Sequence, residues 1–191
     1  MKIGLFFGSF NPIHCGHMVI AGYMAEFTDL EQVWFVVSPH NPLKQKHTLL
    51  QDYHRLALVR TAIADHRKLK ASDIEFKLPK PSYTIHTLTY LQEKFPAHQF
   101  VLLLGSDNLV TFHKWKNYEQ ILEQYELYVY PRKESAGAEL SNHPKVKLFP
   151  APLVELSSTF IREAIKNKKD VSYMMPESVW KYIEEMNFYV K

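Results

Sequence analysis

The sequence predicts an α/β fold with a doubly wound parallel sheet, because short apolar runs alternate with longer amphipathic segments. The run FVLLL at 100–104 is apolar throughout, which is typical of a central strand covered by helices on both faces. In contrast, KVKLF at 145–149 alternates apolar and polar residues, as an edge strand does. The predicted strands, in chain order, are KIGLFF, EQVWFVVS, DIEF, QFVLLLG, ELYVYP and KVKLFP.

Amphipathic segments between these runs predict crossover helices over 16–28, 51–65 and 83–95. We expect the third helix to begin after Ser82 as its N-cap and to end before Pro96. The sheet and its crossovers together predict a Rossmann-like arrangement.

Two further helices are predicted near the end of the sequence, in STFIREAIKN and PESVWKYIEEM. The second opens with Pro176, a residue suited to the first helical position. The segment 132–144 is polar and contains Gly and Pro, so it is expected to be a surface loop.

Length and composition predict one domain over 1–191, with residues from about 166 as a C-terminal helical extension. The net charge is only +3 and the bases are scattered, which argues against a nucleic-acid partner. No apolar run approaches the roughly 18 residues of a membrane span, so we expect no membrane partner. No signal peptide is evident, and Cys15 is the only cysteine, so we expect a cytoplasmic protein. The sequence leaves a homo-oligomer open.

The segment GSFNPIHCGH, residues 8–17, joins the first predicted strand to the first predicted helix, and we call it the first-turn segment. In an open parallel sheet this turn is the usual phosphate cradle. Gly8 and Gly16 permit a close approach to a ligand, and His14 and His17 can both turn toward an anion at the helix start. The segment has neither G-x-G-x-x-G nor G-x-x-x-x-G-K-[ST], so it predicts neither a conventional dinucleotide-binding turn nor a P-loop.

Other interpretations of these residues are open at this point. The histidine pair with Cys15 is a candidate metal site, although neighbouring residues on a tight turn rarely converge on one tetrahedral ion. A purely structural pair is the other alternative. Cys15 itself is either a thiol with a lowered pKa at a helix start or a spacer, and the absence of an evident partner base favours the spacer.

A second phosphate-binding helix start is predicted in LSSTFIR, residues 156–162, which we call the second motif. Arg162 adds a forked cation one turn into the helix. The alternative is that Arg162 pairs with Glu155 or Glu163 on the surface. The hydroxyl and amide groups at the helix start come from Ser157, Ser158 and Thr159.

The first-turn segment matches the G-x-F-x-P-x-H-x-G-H signature of the nucleotidyltransferase superfamily, and the second motif is similar to its I-S-S-T-x-I-R element. PSYTIHTL at 81–88 and GSDNLVTFHKW at 105–115 resemble elements of the bacterial nicotinate-nucleotide adenylyltransferase family. The resemblance covers residues 2 to about 165. It implies a nucleotidyltransferase-type Rossmann-like fold and adenylyl transfer from MgATP to nicotinic acid mononucleotide, in NAD biosynthesis.

The resemblance also implies roles for individual residues, carried onto the matching positions of this sequence. The implied catalytic residues are His14, His17, Arg162 and Lys44. The implied ATP-binding residues are Gly8, Ser9, Phe10, Asn11, His14, Gly16, His17, Gly105, Asp107, Ser157, Ser158, Thr159 and Arg162. The implied substrate-binding residues are Lys44, Tyr83, Thr84, Thr87, Asp107, Trp115 and Arg132. No metal ligand is implied in the protein, because Mg²⁺ is expected to be held mainly by the ATP phosphates.

Three residues predicted to bind the acceptor suit a pyridine ring that carries a carboxylate. Trp115 offers a flat surface on which a pyridine ring can stack, and Tyr83 with Thr84 offers donors to a ring carboxylate. On composition alone, Trp115 is as well explained by core packing. Two activities therefore stay as alternatives: pantetheine-phosphate adenylyl transfer, and nucleotide binding without turnover.

Two positions depart from the family pattern. Asn11 stands where the family usually has Asp, and it keeps both an acceptor and a donor. Leu43 stands where a histidine is usual, which removes one expected phosphate contact.

Overall fold

The computed structural model describes residues 1–39, 49–132 and 139–190. Its centre is one six-stranded sheet in which every strand pairs in parallel, in the order β3-β2-β1-β4-β5-β6. The strands are β1 (Lys2–Gly8), β2 (Gln32–Val37), β3 (Leu69–Ser72), β4 (Gln99–Gly105), β5 (Glu126–Tyr130) and β6 (Val146–Leu148). The predicted fold class is confirmed, with FVLLL in a central strand and KVKLF at an edge.

Seven α-helices connect and cover these strands in the described part of the chain. They are α1 (Cys15–Phe27), α2 (Asp52–Ala62), α3 (Thr84–Lys94), α4 (Ser106–Val110), α5 (Tyr118–Gln124), α6 (Ser158–Lys166) and α7 (Glu177–Glu185). The three predicted crossover helices and the predicted C-terminal pair are thereby confirmed. None of the described helices is long and apolar enough to cross a membrane.

Three local predictions are wrong. DIEF was expected to be a strand, but Ile74–Lys77 is a 3₁₀ helix in which the Phe76 amide donates to the Asp73 carbonyl; β3 lies just before it. A four-residue apolar run does not by itself distinguish a strand from a helical turn. Ser82 is not the N-cap of α3, because Tyr83 has the extended backbone that precedes the helix. Pro176 is an N-cap with ψ 140° and not the first helical residue.

The sheet separates two hydrophobic clusters, one on each face. Alternate residues of the four inner strands enter opposite clusters, so that in β1 Leu5 faces one and Phe6 the other. Helices α1, α2, α6 and α7 cover the Phe6 face, and α3, α4 and α5 cover the Leu5 face. Helix α7, which lies in the predicted C-terminal extension, thus shares a core with α1 and α2.

The strand order fixes where a ligand can bind. From β1 the chain winds outward to β2 and β3, and it then returns to β4 beside β1 and winds outward the other way. A crevice opens at such a switch point, beyond the carboxyl ends of the strands. Gly8 ends β1 there and Gly105 ends β4.

Candidate active site

The predicted histidine pair lies at the start of α1, directly beyond the carboxyl end of β1. His14 is the N-cap residue of α1 with an extended backbone, and His17 lies in the first turn. Their rings are stacked with centroids 3.8 Å apart. The backbone N–H of His14 donates to His17 Nδ1 at 3.3 Å, so a neutral His17 carries its proton on Nε2 and has that N–H to donate.

His14 is held neutral by its surroundings. The residue is only 3% exposed, and burial, followed by the positive charge of Arg132, lowers the pKa of its imidazole to about 4. Its side chain faces the His17 backbone N–H, while the His17 side chain accepts from the His14 backbone N–H, so the two histidines form a capping box at the start of α1. Gly16 makes room for this ring, because a Cβ there would lie 3.0 Å from His14 Nδ1.

Aromatic packing fixes the other histidine. The Phe10 ring meets His17 edge-on with centroids 5.0 Å apart, and Phe6 meets it at 6.0 Å. Phe10 is 1% exposed, so its side chain supports His17 from within the core. Gly8 permits this arrangement, because a Cβ at that position would come within 2.7 Å of the Phe10 ring.

A cleft opens in front of the two imidazoles, with about 270 Å³ of empty space including the part open to solvent. The end of β5 forms its far wall, where the Arg132 guanidinium lies 5.6 Å from the centre of the Tyr130 ring. The Arg132 backbone N–H donates to Ser106 Oγ at 2.8 Å, which ties this wall to the start of α4. The lining residues are Phe6, His14, Gly16, His17, Ile20, Tyr130, Pro131, Arg132, Val154 and Leu156.

Gly105 and Asp107 adjoin the same wall at the end of β4. A Cβ on Gly105 would collide with Asp107 Oδ1 and with the Arg132 side chain, so a larger residue there would have to displace them. The structure therefore brings Gly105, predicted to bind ATP, and Arg132, predicted to bind the acceptor, together with Asp107, which was predicted to contact both.

The second motif is hydrogen-bonded directly to the first-turn segment. Ser158 Oγ donates to the Pro12 carbonyl at 2.8 Å, and an Arg162 terminal nitrogen donates to the Asn11 carbonyl at 2.8 Å. The other terminal nitrogen of Arg162 donates to Thr159 Oγ1 at 3.2 Å. These bonds of Arg162 thus go to neutral oxygens of the two segments, in contrast to the carboxylate pairing of the surface alternative.

The start of α6 keeps donors for an anion. Ser157 caps the helix, its Oγ accepting from the Phe160 N–H at 3.1 Å. The N–H groups of Ser158 and Thr159, one residue and two residues into the helix, have no intrahelical acceptor. Positive charge also accumulates at a helix N-terminus, so this end suits phosphate oxygens.

Sequence reasoning missed Arg55, a fully buried arginine at the centre of the loops that support the site. Its guanidinium donates to the carbonyls of Ser9 at 2.7 Å and Ser38 at 2.8 Å, so it ties the first-turn segment to the end of β2. It also donates to the carbonyls of Pro39 and Leu50 and to Asp52 Oδ1. A signal was present, because Arg55 has helical spacing with the buried Leu58 and Val59.

Two of the residues predicted to bind the acceptor, Tyr83 and Trp115, lie on the Leu5 face of the sheet. Tyr83 and Trp115 are half-buried against the same hydrophobic cluster, and Trp115 packs 5.1 Å from Phe112. Lys116, which the sequence analysis did not single out, places its ammonium 4.4 Å from the centre of the Tyr83 ring. Thr84 is the first residue of α3. A cation and the start of a helix therefore accompany the aromatic rings.

Thr87 is set apart from this group. It is fully buried, and its hydroxyl donates to Glu75 Oε1 at 2.7 Å. Burial raises the pKa of Glu75. Thr87 therefore anchors α3 to the 3₁₀ helix at Ile74–Lys77.

The remaining candidates from the sequence are Cys15, a metal site, and Lys44 with Leu43. Burial raises the pKa of the Cys15 thiol, which favours the spacer over an activated nucleophile. Across residues 1–39, 49–132 and 139–190, no three His, Cys, Asp or Glu side chains are grouped as metal ligands. Lys44 and Leu43 lie outside the described residues.

Comparisons with known proteins agree with this geometry. The family model described as cytidylyltransferase-like matches residues 5–164. A Flavobacterium psychrophilum protein named "Probable nicotinate-nucleotide adenylyltransferase" is 59% identical, with 100% of each chain covered. A Bacteroides thetaiotaomicron protein of the same name is 44% identical, covering 97% of this chain and 92% of the relative.

Among solved structures, nicotinic acid mononucleotide adenylyltransferase from Plasmodium falciparum, complexed with NaAD, has the same fold. Its TM-score is 0.82 at 21% identity, over 99% of this chain and 97% of that one. The fold, the joined motifs and the relatives lead to one conclusion: the chain belongs to the nicotinate-nucleotide adenylyltransferase family, within the cytidylyltransferase-like proteins.

Proposed function

We propose that this chain transfers the adenylyl group of MgATP to nicotinic acid mononucleotide, giving nicotinic acid adenine dinucleotide and pyrophosphate in NAD biosynthesis. The observation that carries the proposal is the pair of hydrogen bonds joining the first-turn segment to the second motif, Ser158 to Pro12 and Arg162 to Asn11. These bonds hold the starts of α1 and α6 close together, which supports an anion bound by both helix starts at the switch point of the sheet. A triphosphate has the length and charge to contact both.

In the proposed reaction an oxygen of the mononucleotide 5′-phosphate attacks the α-phosphorus of ATP. A new P–O bond forms there as the bond to the pyrophosphate oxygen breaks, and the leaving group keeps the electron pair. The attacking phosphate is already ionised at neutral pH, so the protein has to position the reactants and stabilise charge more than it has to move a proton.

His14 and His17 are proposed to hold the α-phosphate. Their stacked rings present donors at the cleft, and negative charge grows on the α-phosphate oxygens as the phosphorus becomes five-coordinate. A phosphate beside His14 would offset the charge of Arg132, so we expect the pKa of His14 to rise when ATP binds.

Arg162 and the amides of Ser158 and Thr159 are proposed to hold the β- and γ-phosphates. The Arg162 guanidinium is held by Asn11 on one side and Thr159 on the other, so little conformational freedom is lost when phosphate arrives. Lys44 is proposed to add a further cation. Mg²⁺ enters with ATP as part of the substrate.

The acceptor mononucleotide is proposed to bind beyond β4. Asp107 would accept hydrogen bonds from a ribose, and Arg132 would donate to the acceptor phosphate. Trp115 would stack on the pyridine ring, with Tyr83 and Thr84 donating to the ring carboxylate. The ammonium of Lys116 above the Tyr83 ring adds positive charge to this region, which favours the acid over the amide.

The test supplies purified protein with MgATP and, separately, nicotinate mononucleotide, its amide counterpart and phosphopantetheine, and measures pyrophosphate release. We expect the fastest release with nicotinate mononucleotide. Arg162→Ala protein prepared in parallel controls for contaminating enzymes. Release with only one of the other two acceptors would overturn the acceptor assignment. No release with any of them would indicate nucleotide binding without turnover.

A further inference from the structure

The chain that follows α7 returns to the first-turn segment. Asn187 and Tyr189 both have positive φ, 51° and 65°, so the backbone reverses direction within three residues. The Phe188 N–H donates back to the Ile183 carbonyl at 3.1 Å, which fixes this turn on the end of α7. The reversal carries the Tyr189 side chain to the loop beyond β1.

There the Tyr189 hydroxyl donates to Asn11 Oδ1 at 2.8 Å. Asn11 is only 3% exposed, and the same oxygen also accepts the Leu50 N–H at 3.2 Å. The backbone carbonyl of Asn11 is the acceptor for the Arg162 guanidinium. Asn11 therefore connects Tyr189 at the end of the chain to the cation proposed to bind the ATP phosphates.

The surroundings keep this hydroxyl a donor. Burial raises the pKa of Tyr189 well above its ordinary value, even though the positive charges of Arg162 and Arg55 act in the opposite direction. The phenol therefore remains protonated at neutral pH and can donate to Asn11. A phenylalanine at 189 would keep the ring and lose only this bond.

We infer that Tyr189 is a positioning residue for ATP: through Asn11 it holds Arg162 and the first-turn segment in the geometry that receives the triphosphate. The inference rests on the proposed role of this site in binding ATP. Tyr189 touches no reacting group, so its effect should reach ATP affinity and leave the acceptor site unchanged.

Tyr182 provides a matched control. It lies in α7, and its hydroxyl is 3.2 Å from His54 Nδ1, so it too makes one hydrogen bond from the C-terminal segment to the body of the protein. Its ring packs near Phe188, with centroids 5.9 Å apart. Tyr182→Phe therefore shows how far the loss of one hydrogen bond from the C-terminal segment changes the Kd of MgATP when the bond from Tyr189 to Asn11 is kept.

The experiment measures the Kd of MgATP by calorimetry, which needs no acceptor, and the KM of nicotinate mononucleotide in the pyrophosphate assay. We expect Tyr189→Phe to weaken MgATP binding by about 3- to 10-fold, the usual effect of one lost hydrogen bond. The KM for the mononucleotide should stay the same, and Tyr182→Phe should bind MgATP as the unmodified chain does. Thermal unfolding confirms that each variant is folded.

A double-mutant cycle with Asn11→Ala separates positioning from packing. If Tyr189 acts through Asn11, adding Tyr189→Phe to Asn11→Ala should change the Kd of MgATP by less than about 2-fold. Unchanged affinity in Tyr189→Phe, an equal loss in Tyr182→Phe, or a full additional loss in the Asn11→Ala background would each overturn the inference. If instead the unmodified chain binds MgATP but transfers no adenylyl group, the proposed function fails while this comparison still stands.

Discussion

The two ends of the parallel sheet use charge in opposite ways. At the amino end, Lys2 Nζ lies 2.8 Å from Asp29 and 2.6 Å from Glu126, and Lys147 lies 2.6 Å from Glu126. The Tyr128 hydroxyl accepts from Lys2 and donates to Asp29. These charges balance one another, so this end stabilises the fold and offers little to a ligand.

At the carboxyl end, arginine side chains donate hydrogen bonds to neutral backbone carbonyl oxygens. Arg162 donates to the Asn11 carbonyl, and Arg55 donates to carbonyls of Ser9 and Ser38 in addition to its pair with Asp52. Carbonyls fix the direction of a guanidinium without cancelling its charge. Cationic side chains thus form a charge-balanced network at one end of the sheet, whereas at the other end Arg162 bonds to neutral oxygens, an arrangement that favours an anion.

The largest expected effect comes from removing the buried guanidinium of the carboxyl end. Arg55→Met should lower the free energy of unfolding by about 3 to 5 kcal/mol, because it leaves Asp52 without its buried partner and several loop carbonyls unpaired. Urea unfolding measures this loss. Arg60→Met, on the exposed part of the same helix, should change it by less than about 0.5 kcal/mol. Equal stability of the two variants would contradict the account.

Removing a predicted catalytic group should affect turnover more than folding. We expect His17→Ala to lower kcat by about 10²- to 10³-fold, the usual cost of losing one donor to a developing charge. His98→Ala, near the amino end of β4 and stacked on Phe95, should leave kcat unchanged. Near-normal pyrophosphate release by His17→Ala would refute the proposed role.

The burial of His14 should make stability depend on pH. Its folded-state pKa of about 4 lies below the unfolded value near 6.5, so as pH falls through this window the unfolded chain takes up a proton that the folded chain does not. Stability should therefore fall by up to about 3 kcal/mol between pH 6.5 and 4, and it should not change on this account above pH 6.5. Urea midpoints of the unmodified chain and His14→Gln measure the difference.

The acidic side chains of the amino end titrate in a lower window. Hydrogen bonds from Lys2 and Lys147 lower the pKa of Glu126, and Lys2 and Tyr128 lower that of Asp29, although burial opposes both shifts. Their stabilising effect is present above pH 4.5 and is lost as pH falls below it. Because His14→Gln retains these groups, the difference between the two curves isolates His14, and parallel curves would contradict its burial as a neutral ring.

The smallest effect is expected at the amino end itself. Lys2→Met should cost about 1 to 2 kcal/mol of unfolding free energy, because Lys2 is largely buried while its partner Asp29 is mostly exposed. The KM for ATP should not change, since these residues lie at the opposite end of the sheet. A clear rise in that KM would contradict the claim that the amino end has no part in binding ATP.

The sequence allowed the fold to be predicted because its signal is periodic and local. Continuous apolar runs such as FVLLL separate buried parallel strands from amphipathic helices, and the alternation itself implies crossovers. The same reasoning fails over four residues at DIEF, where Glu75 is buried to pair with Thr87. That pair is a tertiary contact, which local periodicity does not encode.

The sequence marks candidate site residues where they lie within one motif. His14, His17 and Arg162 lie in two segments that resemble family motifs at predicted helix starts, but the hydrogen bond that joins Arg162 to Asn11 across 151 positions could not be predicted. Arg55 was missed because an arginine in an amphipathic helix is expected to be exposed. Its burial depends on carbonyl acceptors in distant loops, which the local sequence does not indicate. Tyr189 gave no signal, since its role depends on how the chain turns after α7.

The most direct measurement is a crystal structure of the chain with a non-hydrolysable ATP analogue. The account predicts electron density for the α-phosphate beside His14 and His17, and for the β- and γ-phosphates at Arg162 and the first amides of α6. A triphosphate bound elsewhere, with neither imidazole ring within hydrogen-bond distance of a phosphate oxygen, would contradict it.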